Sequence, residues 1–491
     1  MNCKLFISTL TIGLVTMQTN FAQDIVYPKE VKQLYDQADA SVVLTTQPRP
    51  LIGVPGGFGQ QAQLRDVEHA GGIGVVIPAT EDFSALRDIC AKLDGLVLAD
   101  GISADNAFSI LLHKAAVDRN LPFLGHNELM EKIDSSLWRR HIYINDYPTL
   151  IKRAQLFKRA HALHDHIFTL DSHADQPCSY RDGASVGLRK TNQVNVQKMQ
   201  EGRLDAVYLV NWQDQKPLTP EGIAKSEAVG KDLMKKIHAD VDKYSDFCGI
   251  ARTAEEAYAL KKQGKKVFFI GIENGSAIGD NLANIEEYAR QKATYITLSW
   301  SGNNKICDSS SPNKDKKPKR GLTEFGKKVV KEMNRCGVIV DCSHASDQTF
   351  WDCIKLSTAP IICSHSGARA LWNHNRNITD DMLQALAKKG GVIQVYGLWN
   401  FQGNNIHKTD INTMLDHIDH CVKVAGIDHV GIGMDLDGGG GLFGINGDND
   451  MINLTMGLME RGYTDEQIEK IWGKNFLRVL TEVQAKAKIK F

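Results

Sequence analysis

Eight short apolar runs, separated from one another by helix-length amphipathic stretches, fill residues ~160–485 of the chain. They fall at 167–170, 206–210, 267–270, 295–298, 338–340, 361–363, 392–395 and 430–433. Strands alternating with helices imply a parallel sheet, and eight such units over roughly 320 residues predict a closed (β/α)8 TIM-like barrel. The residues just past several of these runs sharpen the prediction. The first run leads into Asp171-Ser172-His173-Ala174-Asp175 and the third into Glu273. The fifth leads into Asp341-Cys342-Ser343-His344, the sixth into Ser364-His365-Ser366, and the eighth into Asp435-Leu436-Asp437-Gly438. In a barrel, the C-terminal ends of the strands share one face, and that face carries the active site.

Taken singly, each histidine has an ordinary structural explanation. Taken together, His173, Asp175, Glu273, His344 and His365 come from four strands that would share one rim. Imidazole nitrogens and carboxylate oxygens are the ligands of hydrolytic zinc and related divalent ions. Five ligands suit two ions if Glu273 bridges them, and a water shared by two such ions becomes a hydroxide nucleophile. The His-x-Asp spacing places His173 and Asp175 on one face of an extended strand end.

These segments resemble the membrane (renal) dipeptidase family of binuclear zinc peptidases across ~160–485. Further matching pieces are Gly271-Ile272-Glu273-Asn274-Gly275, Gly321-Leu322-Thr323-Glu324-Phe325-Gly326, Arg376-Asn377-Ile378-Thr379-Asp380-Asp381 and Gly473-Lys474-Asn475-Phe476-Leu477-Arg478. The resemblance implies a dipeptidase acting on small peptides through a hydroxide that bridges two Zn2+ ions. His173 and Asp175 would bind one ion, His344 and His365 the other, with Glu273 between them. Arg376 would receive the substrate carboxylate, a task suited to its forked guanidinium. Asp435 would carry a proton from water to the leaving amine. Read without the family, a surface ion pair is the favoured reading of Arg376, and an N-cap or turn role competes for Asp435. One position departs from the family pattern: Trp300 stands where a substrate-contacting His is usual. An indole donates one hydrogen bond and cannot become cationic. Two alternatives therefore stay open: a related hydrolase of another small amide or lactone, and a catalytically weak metalloprotein that binds peptides.

Residues 24–145 read differently, as a small truncated flavodoxin-like α/β domain ahead of the barrel domain at 146–491. Strand-like stretches at 49–55, 73–77, 93–98 and 121–125 alternate with helices. They resemble part of a class I glutamine amidotransferase, nearest its gamma-glutamyl hydrolase branch. The nucleophilic Cys of that family is missing from Gly125-His126-Asn127-Glu128, which implies a degenerate domain without Cys chemistry.

Residues 1–22 read as a signal peptide, with Lys4 before an apolar run from Leu5 to Met17 and small Ala22 at the end. This predicts a secreted or periplasmic protein. No later apolar stretch is long enough for a transmembrane helix. Lys+Arg and Asp+Glu both number 58, so no net charge draws the chain to nucleic acid. The basic run 313–320 reads as a solvated loop. Removing the leader leaves nine of ten cysteines, an odd number that cannot all pair within the chain. A homodimer is compatible with the sequence.

Overall fold

The computed structural model describes residues 49–56, 60–98, 107–125, 144–190, 192–311, 320–403 and 409–490. The expected signal peptide, the turn at 126–128 and most of the basic run lie outside them.

Four strands form the first sheet: β1 (Leu51–Pro55), β2 (Ile73–Ile77), β3 (Gly95–Val97) and β4 (Phe123–Leu124). All pairings are parallel, in the order β2-β1-β3-β4. The helix Tyr147–His166 opens with Asp146 accepting from the Thr149 N–H and Pro148 in its first turn. Such a cap satisfies a backbone donor that helix geometry leaves free. Leu150, Ile151 and Ala154 of this helix pack with Ile52, Val54 and Val97 of the small sheet. His164 hydrogen-bonds Thr455 Oγ1 at 2.6 Å, on the helix Ile452–Glu460 of the barrel layer.

The second sheet contains β5 (Leu170–Ala174), β6 (Ala206–Trp212), β7 (Cys248–Ile250), β8 (Lys266–Glu273), β9 (Ala293–Thr297), β10 (Ile339–Asp341), β11 (Ile361–Ser366), β12 (Val392–Val395) and β13 (Val430–Ile432). Its path runs β13-β12-β11-β10-β9-β8-β6-β5. Just past β13 the chain closes the ring: the Asp435 N–H donates to the His173 carbonyl at 3.0 Å, and the Asp175 N–H to the Leu436 carbonyl at 2.8 Å. The eight predicted runs are the eight strands of this parallel barrel. β7 is an addition that the apolar pattern did not reveal. It pairs with β8 at Lys266–Phe268, ahead of the point where β9 takes over that edge.

Side-chain alternation divides each strand between two cores. Tyr208 and Val210 of β6 and Phe269 of β8 belong to one buried cluster, while Val207, Leu209, Phe268 and Ile270 belong to another shared with the surrounding helices. Tyr208 stacks on Phe269 and contacts Tyr295, both at 5.0 Å, and Phe476 of the C-terminal helix meets it edge-on at 5.1 Å. This aromatic filling makes the barrel a packed core rather than a pore, and it supports the rim where the ionisable side chains converge. No helix among the described residues is long and apolar enough to cross a membrane.

Candidate metal centre

The five residues singled out as ligands converge at one point. Glu273, the last residue of β8, lies centrally: its carboxylate is 3.2 Å from His173 Nε2, 2.9 Å from His344 Nε2 and 3.4 Å from His365 Nε2. Asp175 Oδ1 is 3.8 Å from His173 Nε2. All five are buried. Asp175 reaches its place by a different route from the extended strand expected. β5 ends at Ala174, and Asp175 already heads the 3-10 turn Gln176–Asp182. Asp435 joins the group, 3.8 Å from His173 Nε2 and within ligand distance of both His173 and Asp175.

Local backbone geometry adapts to this convergence. His344 and Asp435 take left-handed conformations, with φ of 60° and 64°. For residues with a β-carbon this costs on the order of 1–3 kcal/mol, strain that typically persists where function needs a side chain aimed. Gly438 must be glycine, because a β-carbon there would run into the carboxylates of Asp175 and Asp435.

A second layer of groups fixes the ligands. Tyr295 Oη lies 2.9 Å from His173 Nδ1 and also donates to the Ser172 carbonyl at 3.1 Å. Ser364 Oγ lies 2.9 Å from His365 Nδ1 and donates to Asp341 Oδ2 at 2.6 Å. Asp341 Oδ1 accepts the backbone N–H groups of Ser343 and Ser364. Asp171 does the same for His173 and Met434. Such contacts orient imidazoles and leave Nε2 free to bind. Sequence reasoning named none of these four as functional. Asp171 and Asp341 had a visible signal, an acid two or three residues before each of two ligand histidines. Tyr295 had none, since a strand aromatic reads as core.

The electrostatics are those of a cation site. Burial alone would depress His173, but the charges of Glu273, Asp435 and Asp175 raise it to about 9. Burial lifts Asp175 well above its usual range, with Glu273 adding to the effect. Asp435 rises to about 7, through burial first and the Glu273 charge second, against the pull of His173. Burial and the Arg376 charge lower His344 to about 4. Asp175 and Asp435 thus call for protons or a cation, while Glu273, against the upward push of its burial, is held well below its usual range by His173 and His344. Asp175 Oδ1 and His365 Nε2 have no hydrogen-bond partner, so the residues present fit divalent metal. The other grouping of potential ligands found among the described residues, Glu286, Glu332 and Cys336, has both glutamates paired with Arg335.

Arg376 is buried beside this centre rather than at the surface. Its Nη2 donates to the His365 carbonyl at 3.2 Å, its Nε has no partner, and the rings of Tyr396 and Phe401 lie 5.9 and 5.8 Å away. Trp300 stands next to His344, ring centres 6.3 Å apart, and packs edge-on against Trp212 at 5.0 Å. Asp437 accepts the N–H groups of Gln193 and Val194 and so anchors the neighbouring loop.

The sequence profile of the membrane dipeptidase family, peptidase family M19, matches residues 157–490. An uncharacterized dipeptidase of Schizosaccharomyces pombe is 35% identical over 269 residues, 53% of this chain and 63% of the relative. The dipeptidase tcpJ of Claviceps purpurea is 32% identical over 254 residues, 52% of this chain and 59% of tcpJ. The chain thus spans about three fifths of the length of these curated relatives. The crystal structure of the probable dipeptidase PvdM from Pseudomonas aeruginosa superposes with a TM-score of 0.65 at 28% identity, covering 68% of this chain and 99% of PvdM. A metallo peptidase from Rhodobacter sphaeroides, solved with a phosphinate mimic of the dipeptide L-Ala-D-Ala, shares the fold at 22% identity and a TM-score of 0.60, over 65% of this chain and 99% of that one. The barrel, the histidine–carboxylate centre on its rim and the profile match extending over most of the sequence agree: this chain belongs to the membrane dipeptidase family of metallopeptidases.

Proposed function

We propose that the barrel hydrolyses dipeptides with two zinc ions. The observation that carries this reading is Glu273, whose carboxylate faces three histidine nitrogens from three other strands. In this reading His173 and Asp175 would hold one ion and His344 and His365 the other, with Glu273 serving both. When bound, two zinc ions supply an activated water and polarise the scissile carbonyl. Everything else falls to the chain's own side chains. Arg376, buried and with no carboxylate partner among the described residues, pairs with the substrate's C-terminal carboxylate. Asp435, raised towards neutrality, takes a proton from the attacking water and passes it to the leaving amine. General acid–base groups work best with a pKa near the working pH. Trp300 walls the substrate pocket beside His344.

An exported enzyme, secreted or periplasmic, fits the reading of residues 1–22. The small sheet is assigned no Cys chemistry, and a homodimer remains compatible. The test combines elemental analysis with turnover. The zinc-replete protein is expected to carry two zinc ions and to cleave a dipeptide panel, with Glu273→Gln losing metal from both positions. One ion or fewer in the parent protein would overturn the binuclear assignment.

A further inference from the structure

A groove of about 760 Å3 runs between the turn after β5 and the helix Pro220–Lys243. Its size is that of a small-molecule site. Pro177, Cys178, Trp212, Val229 and Leu233 give it an apolar lining. Lysines and aspartates at its rim are largely engaged: Asp232 pairs with Lys236 at 2.8 Å, and Asp240 accepts from the Val186 N–H at 2.8 Å.

The upper end of this groove adjoins the metal centre. Cys178 lies three residues beyond Asp175, and its N–H donates to the Asp175 carbonyl at 2.8 Å. Trp212 ends β6 directly beside Glu273 in the parallel register. From Trp212 the wall continues through Trp300 to His344. The helix lining the groove follows β6, so its N-terminal half, which contains Ala228 and Val229, is the half nearer the rim.

Arg376 lies on another part of the rim. It follows β11 and sits beside Tyr396, which follows β12. In a ring of eight strands, each step takes up about 45°, so the β11–β12 edge and the β5–β6 edge are separated by roughly 135° across the centre. A dipeptide held by its carboxylate at Arg376, with its scissile bond over the ligands, therefore directs its N-terminal residue towards β5 and β6.

We infer that this groove is the specificity pocket for the side chain of the substrate's N-terminal residue, and that it selects large apolar side chains, with Trp212 as the deciding wall. The inference rests on the dipeptidase reading. Filling an apolar groove changes kcat/KM by discrimination between side chains, about 10–200-fold for a well-fitted methylene and less where the groove is open to water.

The experiment uses the zinc-replete full chain and dipeptides X-Gly, in which X is Ala, Leu, Phe or Trp. The expected result is a kcat/KM that climbs about 10-fold from Ala-Gly to Trp-Gly, mostly through KM. Trp212→Ala and Ala228→Trp should each shrink that ratio at least 3-fold, with melting curves showing that both variants fold. Ala228 is exposed on its helix, so a larger side chain there fills the groove without entering the core. A flat profile across X in the parent protein, or a ratio unchanged in Ala228→Trp, would overturn the groove assignment while leaving the dipeptidase reading intact. Cleavage of none of the four, Ala-Gly included, would overturn both.

Discussion

Two residues at the metal centre invite direct tests. Asp435 has a strained backbone, a carboxyl raised towards neutrality and a position within ligand distance of His173. If it moves protons, Asp435→Asn should retain two zinc ions and lose about 10²–10⁴-fold in kcat. A variant that loses metal as well would make Asp435 a ligand, which its position also allows. Trp300 is the second case. It stands beside His344 with an indole where a second cationic donor could act. Trp300→His should raise kcat/KM for ordinary dipeptides and widen tolerance at their C-terminal residue, measured over a series varied only there. A fall for every dipeptide would make Trp300 a positive element of a different substrate site. At this scale the sequence was most legible for the five residues that converge at the centre, because each ends or follows a buried strand within a few residues. Trp212 and Tyr295 were not legible. Both look like strand aromatics until the pairing shows which end of the strand each occupies.

Among the elements, the eight barrel strands could be read because each is buried on both faces and so forms an unbroken apolar run. β7 has only three residues, two of them half-buried, and pairs with the first three residues of β8, ahead of β9. Nothing in a stretch so short distinguishes it from a loop. The helix Tyr147–His166 is instructive for another reason. Its His164 is fully enclosed between Thr455 and the Arg203 carbonyl, and burial lowers its pKa to about 3. The native state therefore disfavours the proton that the unfolded chain accepts near pH 6.5. The stabilising effect of a neutral His164 is complete above that pH and declines as the pH falls towards 3, by about 1.4 kcal/mol per pH unit. His164→Gln removes this dependence. The stability gap between parent and variant should narrow as the pH drops from 7 to 4.5, as read from urea unfolding at each pH. A gap constant with pH would mean that His164 takes up its proton as readily in the native state as in the unfolded chain.

For the whole molecule, residues 49–491 form one compact unit, with the core of the small sheet's helices continuing into the barrel's outer layer. This makes the N-terminal region a packing partner of the barrel. A catalytic duty of its own is not expected. Full-length protein with His173 and Asp175 both replaced should show no turnover of gamma-glutamyl substrates, and clear turnover would restore an independent site to that region. Ring closure at the end of the barrel has a further consequence for biosynthesis. Asp435 lies in the segment that seals the barrel against His173 and Asp175, and Phe476, which packs on Tyr208 inside the barrel, comes later still. A polypeptide emerging from the ribosome presents His173 more than 250 residues before that seal exists. Until the seal forms, the rim is an open arc whose ligands have no fixed spacing. The centre therefore cannot assemble before the segment carrying Asp435 has been synthesised.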